Sequence, residues 1–160
     1  MTADGAARIA ERLLSTARED LGRADSKAAV LLAGTLALPT LLVGREGGAV
    51  GDGFADVTLV LAGVLWAVAV TALVGALMPR TGTVRHGDGV TYFGDLVAPL
   101  DPARLSAGIA EAGRDPARWL LVQAVDASSI LSAKYRAIRW GVRSLALSAA
   151  LALIWDVTAR

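Results

Sequence analysis

The sequence predicts an all-α fold: a small integral membrane helical bundle of about three transmembrane helices, with long helices extending into a cytoplasmic helical region. Three observations predict it. The 160 residues are 54% hydrophobic and only 19% charged, with a mean hydropathy of +0.52, where soluble domains carry about 25% charge. The apolar excess is concentrated in three segments rather than spread along the chain. Between them lie stretches with the three-and-four spacing of amphipathic helices.

Several classes fall away at once. A net charge of +1 gives no bulk attraction to nucleic acid. The absence of cysteine removes disulfides, thiolate metal sites and cysteine nucleophiles, and the single His86 removes a multi-histidine metal centre. No G-x-S-x-G, H-E-x-x-H or Walker A pattern occurs. The apolar segments hold no central acid or base, which counts against ion-coupled transport. The chain reads as a non-enzyme that needs no cofactor.

The elements follow in order. Residues 1–27 form a cytoplasmic amphipathic helix with Ile9, Leu13, Ala17, Leu21 and Ala24 as its apolar stripe. Residues 28–44 form the first span, short and with Pro39 as a potential kink. Nothing before Pro39 breaks helicity strongly, so one helix is expected to run from the cytoplasm into the membrane. Residues 45–56 are an outer loop. Residues 57–78 are the second span and fit the ~20 residues that cross a ~30 Å hydrocarbon core. Residues 79–139 are cytoplasmic. In that stretch 80–90 reads as a loop, 90–98 as either strand or helical turn, and Asp101-Pro102 opens a short helix. Asp115-Pro116 starts a long one, with Asp as cap and Pro at the first helical position. Its expected face is Leu121, Val125, Ser128, Ser132, Tyr135 and Ile138, widened by Trp119, Leu120 and Ile130. Residues 140–157 are the third span, bracketed by Trp140 and Trp155 but with the shortest clean apolar run. Small residues recurring at four (Gly63 and Ala67, Ala72 and Ala76, Ser144, Ser148 and Ala152) suit close helix approach.

Orientation follows from the cations. Five lie in residues 1–27, one (Arg45) between the first two spans, and eight from Pro79 to Arg139. The positive-inside rule then places the N-terminus in the cytoplasm of a multi-pass plasma (inner) membrane protein. The cytoplasmic helices alone are marginal in size, so a homo-oligomer is expected.

Two clusters stand out. One is Arg23-Ala24-Asp25-Ser26-Lys27-Ala28, before the first span; the other is Asp126-Ala127-Ser128-Ser129-Ile130-Leu131-Ser132-Ala133-Lys134-Tyr135-Arg136, before the third. The chain has 14 Arg but two Lys, one in each cluster, and Lys is a compact point charge where Arg is a planar fork. Two antiparallel helices are expected to bring Asp25, Lys27, Lys134 and Arg136 to one depth at the inner face. Asp25 then pairs with Lys134 while Arg23, Lys27 or Arg136 faces an anion. Ordinary anchoring of basic residues to headgroups is the competing account.

These residues carry a resemblance. Ala24-Asp25-Ser26-Lys27-Ala28-Ala29-Val30-Leu31-Leu32 resembles the start of the first span in the Pycsar membrane effector family. Tyr92-Phe93-Gly94-Asp95-Leu96 matches that family's aromatic pair, and Ile130-Leu131-Ser132-Ala133-Lys134-Tyr135-Arg136 matches its approach to the last span. The resemblance runs from about residue 10 to 157 and lies in the order and spacing of these motifs. It implies an anti-phage role, in which a cognate cyclase makes cyclic CMP or cyclic UMP and the effector impairs the inner membrane in abortive infection. No jelly-roll nucleotide domain is recognisable, so the helical part must bind the ligand. The resemblance implies ligand contacts from Arg23, Asp25, Lys27, Tyr92, Phe93, Lys134, Tyr135 and Arg136, with Arg139 as a further cation and Trp119 as a further stacking surface. The expected partners are the lipid bilayer, that nucleotide and further copies of the chain, with no nucleic acid. A non-enzymatic membrane scaffold or sensor subunit acting through a protein partner is the alternative.

Overall fold

The computed structural model describes residues 3–43, 53–78 and 102–158. Four helices occupy them: α1 Ala3–Val43, α2 Gly53–Leu77, α3 Pro102–Arg114 and α4 Pro116–Thr158. The expected loop at 80–90 and the strand-or-helix at 90–98 lie outside the described residues.

The two long helices are continuous, as the lack of breakers requires. Helix α1 has 41 residues and α4 has 43, each about 60 Å or more at 1.5 Å per residue. Asp4 sits in the first turn of α1, favourable at the positive end of the helix dipole. The Asp115-Pro116 start is realised: the Arg118 amide donates to Asp115 Oδ1 at 3.0 Å, a side-chain cap on the first turn.

Packing divides the chain into two units, Met1–Gly22 with Pro79–Ser132, and Arg23–Met78 with Ala133–Arg160. In the first unit α1 buries Ala10, Leu14 and Ala17, and α4 buries Ala124. Arg18 donates to Gln123 Oε1 at 3.1 Å and cross-links the two helices at an exposed position.

In the second unit the core is Ala24, Ala28 and Thr35 of α1, Ala62, Ala69, Leu73 and Ala76 of α2, and Ala133, Lys134, Ile138, Ser144 and Ser148 of α4. The small residues let the backbones approach closely. A methyl group on Gly141 of α4 would stand 2.9 Å from Leu73 Cγ and 3.4 Å from the Ala69 carbonyl of α2, so only glycine fits. Ser148 donates across to the Ala62 carbonyl at 2.8 Å. Ala62 thus meets Ser148 while Leu73 meets Gly141, and α2 runs antiparallel to α4. Thr35 of α1 meets Trp66 of α2, which lies opposite the stretch of α4 near Ser144. From Asp25 to Thr35 on α1 and from Lys134 to Ser144 on α4 is the same ten-residue rise. Helices α1 and α4 therefore run parallel, which corrects the antiparallel pairing expected from the sequence. Both clusters precede their apolar stretches, so a shared depth requires a shared direction.

The buried faces are also displaced from those expected. Ile9 and Leu13 are exposed, and the α1 seam passes through Ala10, Leu14, Ala17, Ala24, Ala28 and Thr35, with Leu21 half-buried. On α4, Leu121, Val125, Ser128 and Ser132 are exposed, and the seam passes through Ala124, Lys134, Ile138, Gly141 and Ser148. These positions are spaced three, four, seven or ten apart, all sums of three- and four-residue steps, the period of helices that stay in contact over many turns. Alanine, glycine and serine hold most seam positions because the helices are close, while several bulky residues such as Ile9, Leu13, Leu121 and Val125 are left outside. Of the small-residue pairs, Ser144 and Ser148 are buried, Ala76 is buried beside half-buried Ala72, and Gly63 and Ala67 face outward.

Among the described residues two helices are long and apolar enough to cross a membrane, Asp56–Leu77 within α2 and α4 itself. Only 22% and 28% of their most apolar stretches are buried by the rest of the protein, where the core helix of a soluble protein would be mostly covered. The apolar segment that the sequence marks as weakest, 140–157, is thus in one of the two. The expected span 28–44 is helical to Val43 but is not among those two, and its end lies outside the described residues.

Pro39 sits inside α1. Proline has no amide hydrogen, so it cannot bond the carbonyl four residues back, that of Thr35. The Trp66 indole N–H of α2 donates to this carbonyl at 2.9 Å. The Thr35 hydroxyl donates in turn to the Leu31 carbonyl at 2.7 Å. A neighbouring helix thereby satisfies the group that proline leaves open, as an apolar environment demands.

Candidate functional site

Asp25 and Lys134 form an ion pair across the α1–α4 seam. The Lys134 side chain is 8% exposed and that of Asp25 45%. Seam position explains this: Lys134 occupies a core position of α4, flanked by buried Ala133 and Ile138, and Ala24 and Ala28 of α1 lie either side of Asp25. A buried ammonium is costly unless paired, and Asp25 supplies the partner. The half-open carboxylate remains in reach of a solute, whereas the lysine side chain is almost wholly covered. A polar group at one seam position also fixes helix register, since any slip would strand the charge.

The structure places six of the eight expected residues in this second unit, on two helices. Arg23, Asp25 and Lys27 lie on α1, and Lys134, Tyr135 and Arg136 on α4. It does not gather them on one surface. Residues two apart on a helix point to opposite sides, so Arg23, Lys27 and Arg136 are exposed while the pair between them is turned inward. Tyr135 is half-buried, and Arg139 is exposed. Tyr92 and Phe93 lie outside the described residues. Trp119 is half-buried in the first unit. Among the described residues no cluster of His, Asp or Glu could hold a metal ion.

Sequence reasoning missed the Trp66–Thr35 bond and the Ser148–Ala62 bond. Proline at 39 names the orphaned carbonyl as that of Thr35, but nothing in the sequence says which donor reaches it.

The family comparison bears on the whole of this arrangement. The model of the Pycsar effector protein domain matches residues 9–159, nearly the full chain and both halves of the ion pair. The chain belongs to the Pycsar effector protein family. Membership points to an anti-phage effector and agrees with helices fit to cross a membrane. No curated protein and no solved structure matches the chain. Within this Pycsar effector the α1–α4 ion pair is the most built polar feature among the described residues.

Proposed function

We propose that this Pycsar effector senses a cyclic pyrimidine mononucleotide, cyclic CMP or cyclic UMP, and responds by impairing the inner membrane, causing abortive infection. It acts as a non-enzymatic homo-oligomer with its N-terminus in the cytoplasm. The observation that carries the reading is the Asp25–Lys134 pair, set immediately before the apolar stretches of α1 and α4. A cyclic mononucleotide presents one phosphate charge. That anion competes with the Asp25 carboxylate for Lys134, and Lys27 and Arg136 stand two residues away to draw it in. Tyr135 offers an aromatic surface for the base. Displacing Asp25 changes what holds α1 to α4, and the ligand shifts the protein only by its preference for that second arrangement.

The test is thermal unfolding of the detergent-solubilised protein, with dye-reported depolarisation of liposomes containing it. Cyclic CMP or cyclic UMP is expected to raise the melting temperature and depolarise the liposomes. The neutral pair Asp25→Asn with Lys134→Met, which leaves no stranded charge, is expected to fold and to respond to neither nucleotide. Indifference of the unmodified protein to both nucleotides would overturn the proposal.

A further inference from the structure

On α4, directly after the ion pair, Arg136, Arg139, Trp140 and Arg143 are all exposed, Trp140 at 64%. Their spacing of three and four puts them on one face. At about 100° per residue that face lies opposite the seam of Lys134, Ile138 and Gly141. Further along the same face come exposed Leu147 and Ile154. One helix surface therefore passes from cationic and aromatic to apolar within two turns. Arginine and tryptophan side chains above an apolar band have the composition of a headgroup-level belt.

Charge around this face is one-sided. The described acids of the second unit are Asp25, Asp56 and Asp156. Asp25 is engaged by Lys134. Because α2 is antiparallel to α4, Asp56 lies level with the end of α4 that carries Asp156, about 20 Å from Arg143 at 1.5 Å per residue. Among the described residues Lys27, Arg136, Arg139 and Arg143 form no ion pair. Each of the three guanidiniums on this face presents a planar fork of donors that matches phosphate oxygens, and no described acid of the second unit is engaged by them.

We propose that the Arg136–Arg139–Trp140–Arg143 face binds the phosphate groups of anionic phospholipids, so that the effector favours membranes rich in them. This rests on the membrane placement of α4 and not on nucleotide sensing. The arginines take the phosphates, Trp140 packs at the glycerol level, and Leu147 and Ile154 meet the acyl chains.

The protein in neutral detergent micelles is titrated with phosphatidylglycerol, phosphatidylcholine or inorganic phosphate, and thermal unfolding is followed. Phosphatidylglycerol is expected to raise the melting temperature at a several-fold lower concentration than phosphatidylcholine, with inorganic phosphate inert. R136Q/R139Q/R143Q removes the preference, whereas R136K/R139K/R143K, which keeps the charge, retains most of it. Equal response to the two lipids, a glutamine variant that keeps the preference, or an equal effect of inorganic phosphate would each overturn the proposal. R143Q alone leaves Arg136 and Arg139 in place, and a variant that weakens the lipid preference while still melting higher with cyclic CMP or cyclic UMP separates the lipid face from the nucleotide site. Failure of the unmodified protein to enter vesicles of either lipid refutes the membrane placement itself.

Discussion

The two units are built from the same two long helices but solve opposite problems. In the first, the outward faces of α1 and α4 mix charged and polar residues with Ile9, Leu13, Leu121 and Val125, and an exposed Arg18–Gln123 contact links them. In the second, past the exposed cations Arg23, Lys27, Arg136, Arg139 and Arg143, the outward residues include Val30, Leu36, Val60, Val64, Val68, Leu147 and Leu153, and three polar contacts are turned inward: Asp25–Lys134, Ser148–Ala62 and Trp66–Thr35. Polar links stabilise little where water competes for them, and count for more where the alternative is an unsatisfied group in an apolar medium. The contrast teaches that the seam of each helix stays the same along its length while the outside changes with the surrounding solvent.

Mutations along the seam sharpen this contrast. The largest effect is expected at the ion pair. Asp25→Ala strands Lys134 in the seam and should destabilise by about 2–3 kcal/mol, below the ~3–5 kcal/mol of a fully buried pair because Asp25 is half-open. Denaturation in detergent measures it, and adding Lys134→Met should recover most of the loss. An Asp25→Ala variant as stable as the parent would show that the seam tolerates the lone ammonium.

A middle effect belongs to Trp66. Trp66→Phe keeps the ring packing but removes the donor to the Thr35 carbonyl, at a cost of about 1 kcal/mol, within the range of interhelical bonds in membranes. Pro39→Ala restores an amide that can bond the same carbonyl, so Trp66→Phe should cost clearly less in that background. Equal costs in both backgrounds would break the link between proline and tryptophan. The smallest effect is expected in the first unit: Arg18→Ala loses an exposed contact and should change stability by less than about 0.5 kcal/mol. A larger loss there would erase the distinction between the units.

Much of this was legible from residue order. The absence of breakers gave two long helices, Asp115-Pro116 gave the start of α4, and the isolated lysines marked the place where α1 and α4 are pinned together. The faces were harder. Bulky residues drew attention to Ile9, Leu13, Leu121 and Val125, yet the seam runs through their neighbours Ala10, Leu14 and Ala124. Periodicity fixes the pitch of a helix but not its rotation when both solvent and partner accept apolar groups, and alanine gives a weak signal for close contact. Helix direction was legible but misread: both clusters precede their apolar runs, so a shared depth already required α1 and α4 to be parallel. The candidate site was legible as two clusters, but not the inward turn of the pair away from the cations beside it.

The proline in α1 has one consequence for how the chain comes into being. Synthesis runs from the N-terminus, and Trp66 follows Thr35 by 31 residues. During that interval the Thr35 carbonyl has neither its own helix nor its later partner to bond. The first apolar segment is therefore made with its backbone open at one point, bonded only by whatever water or the synthesis machinery can offer. Arrival of the second segment closes that point, so the order of synthesis is written into which helix carries the proline and which the indole.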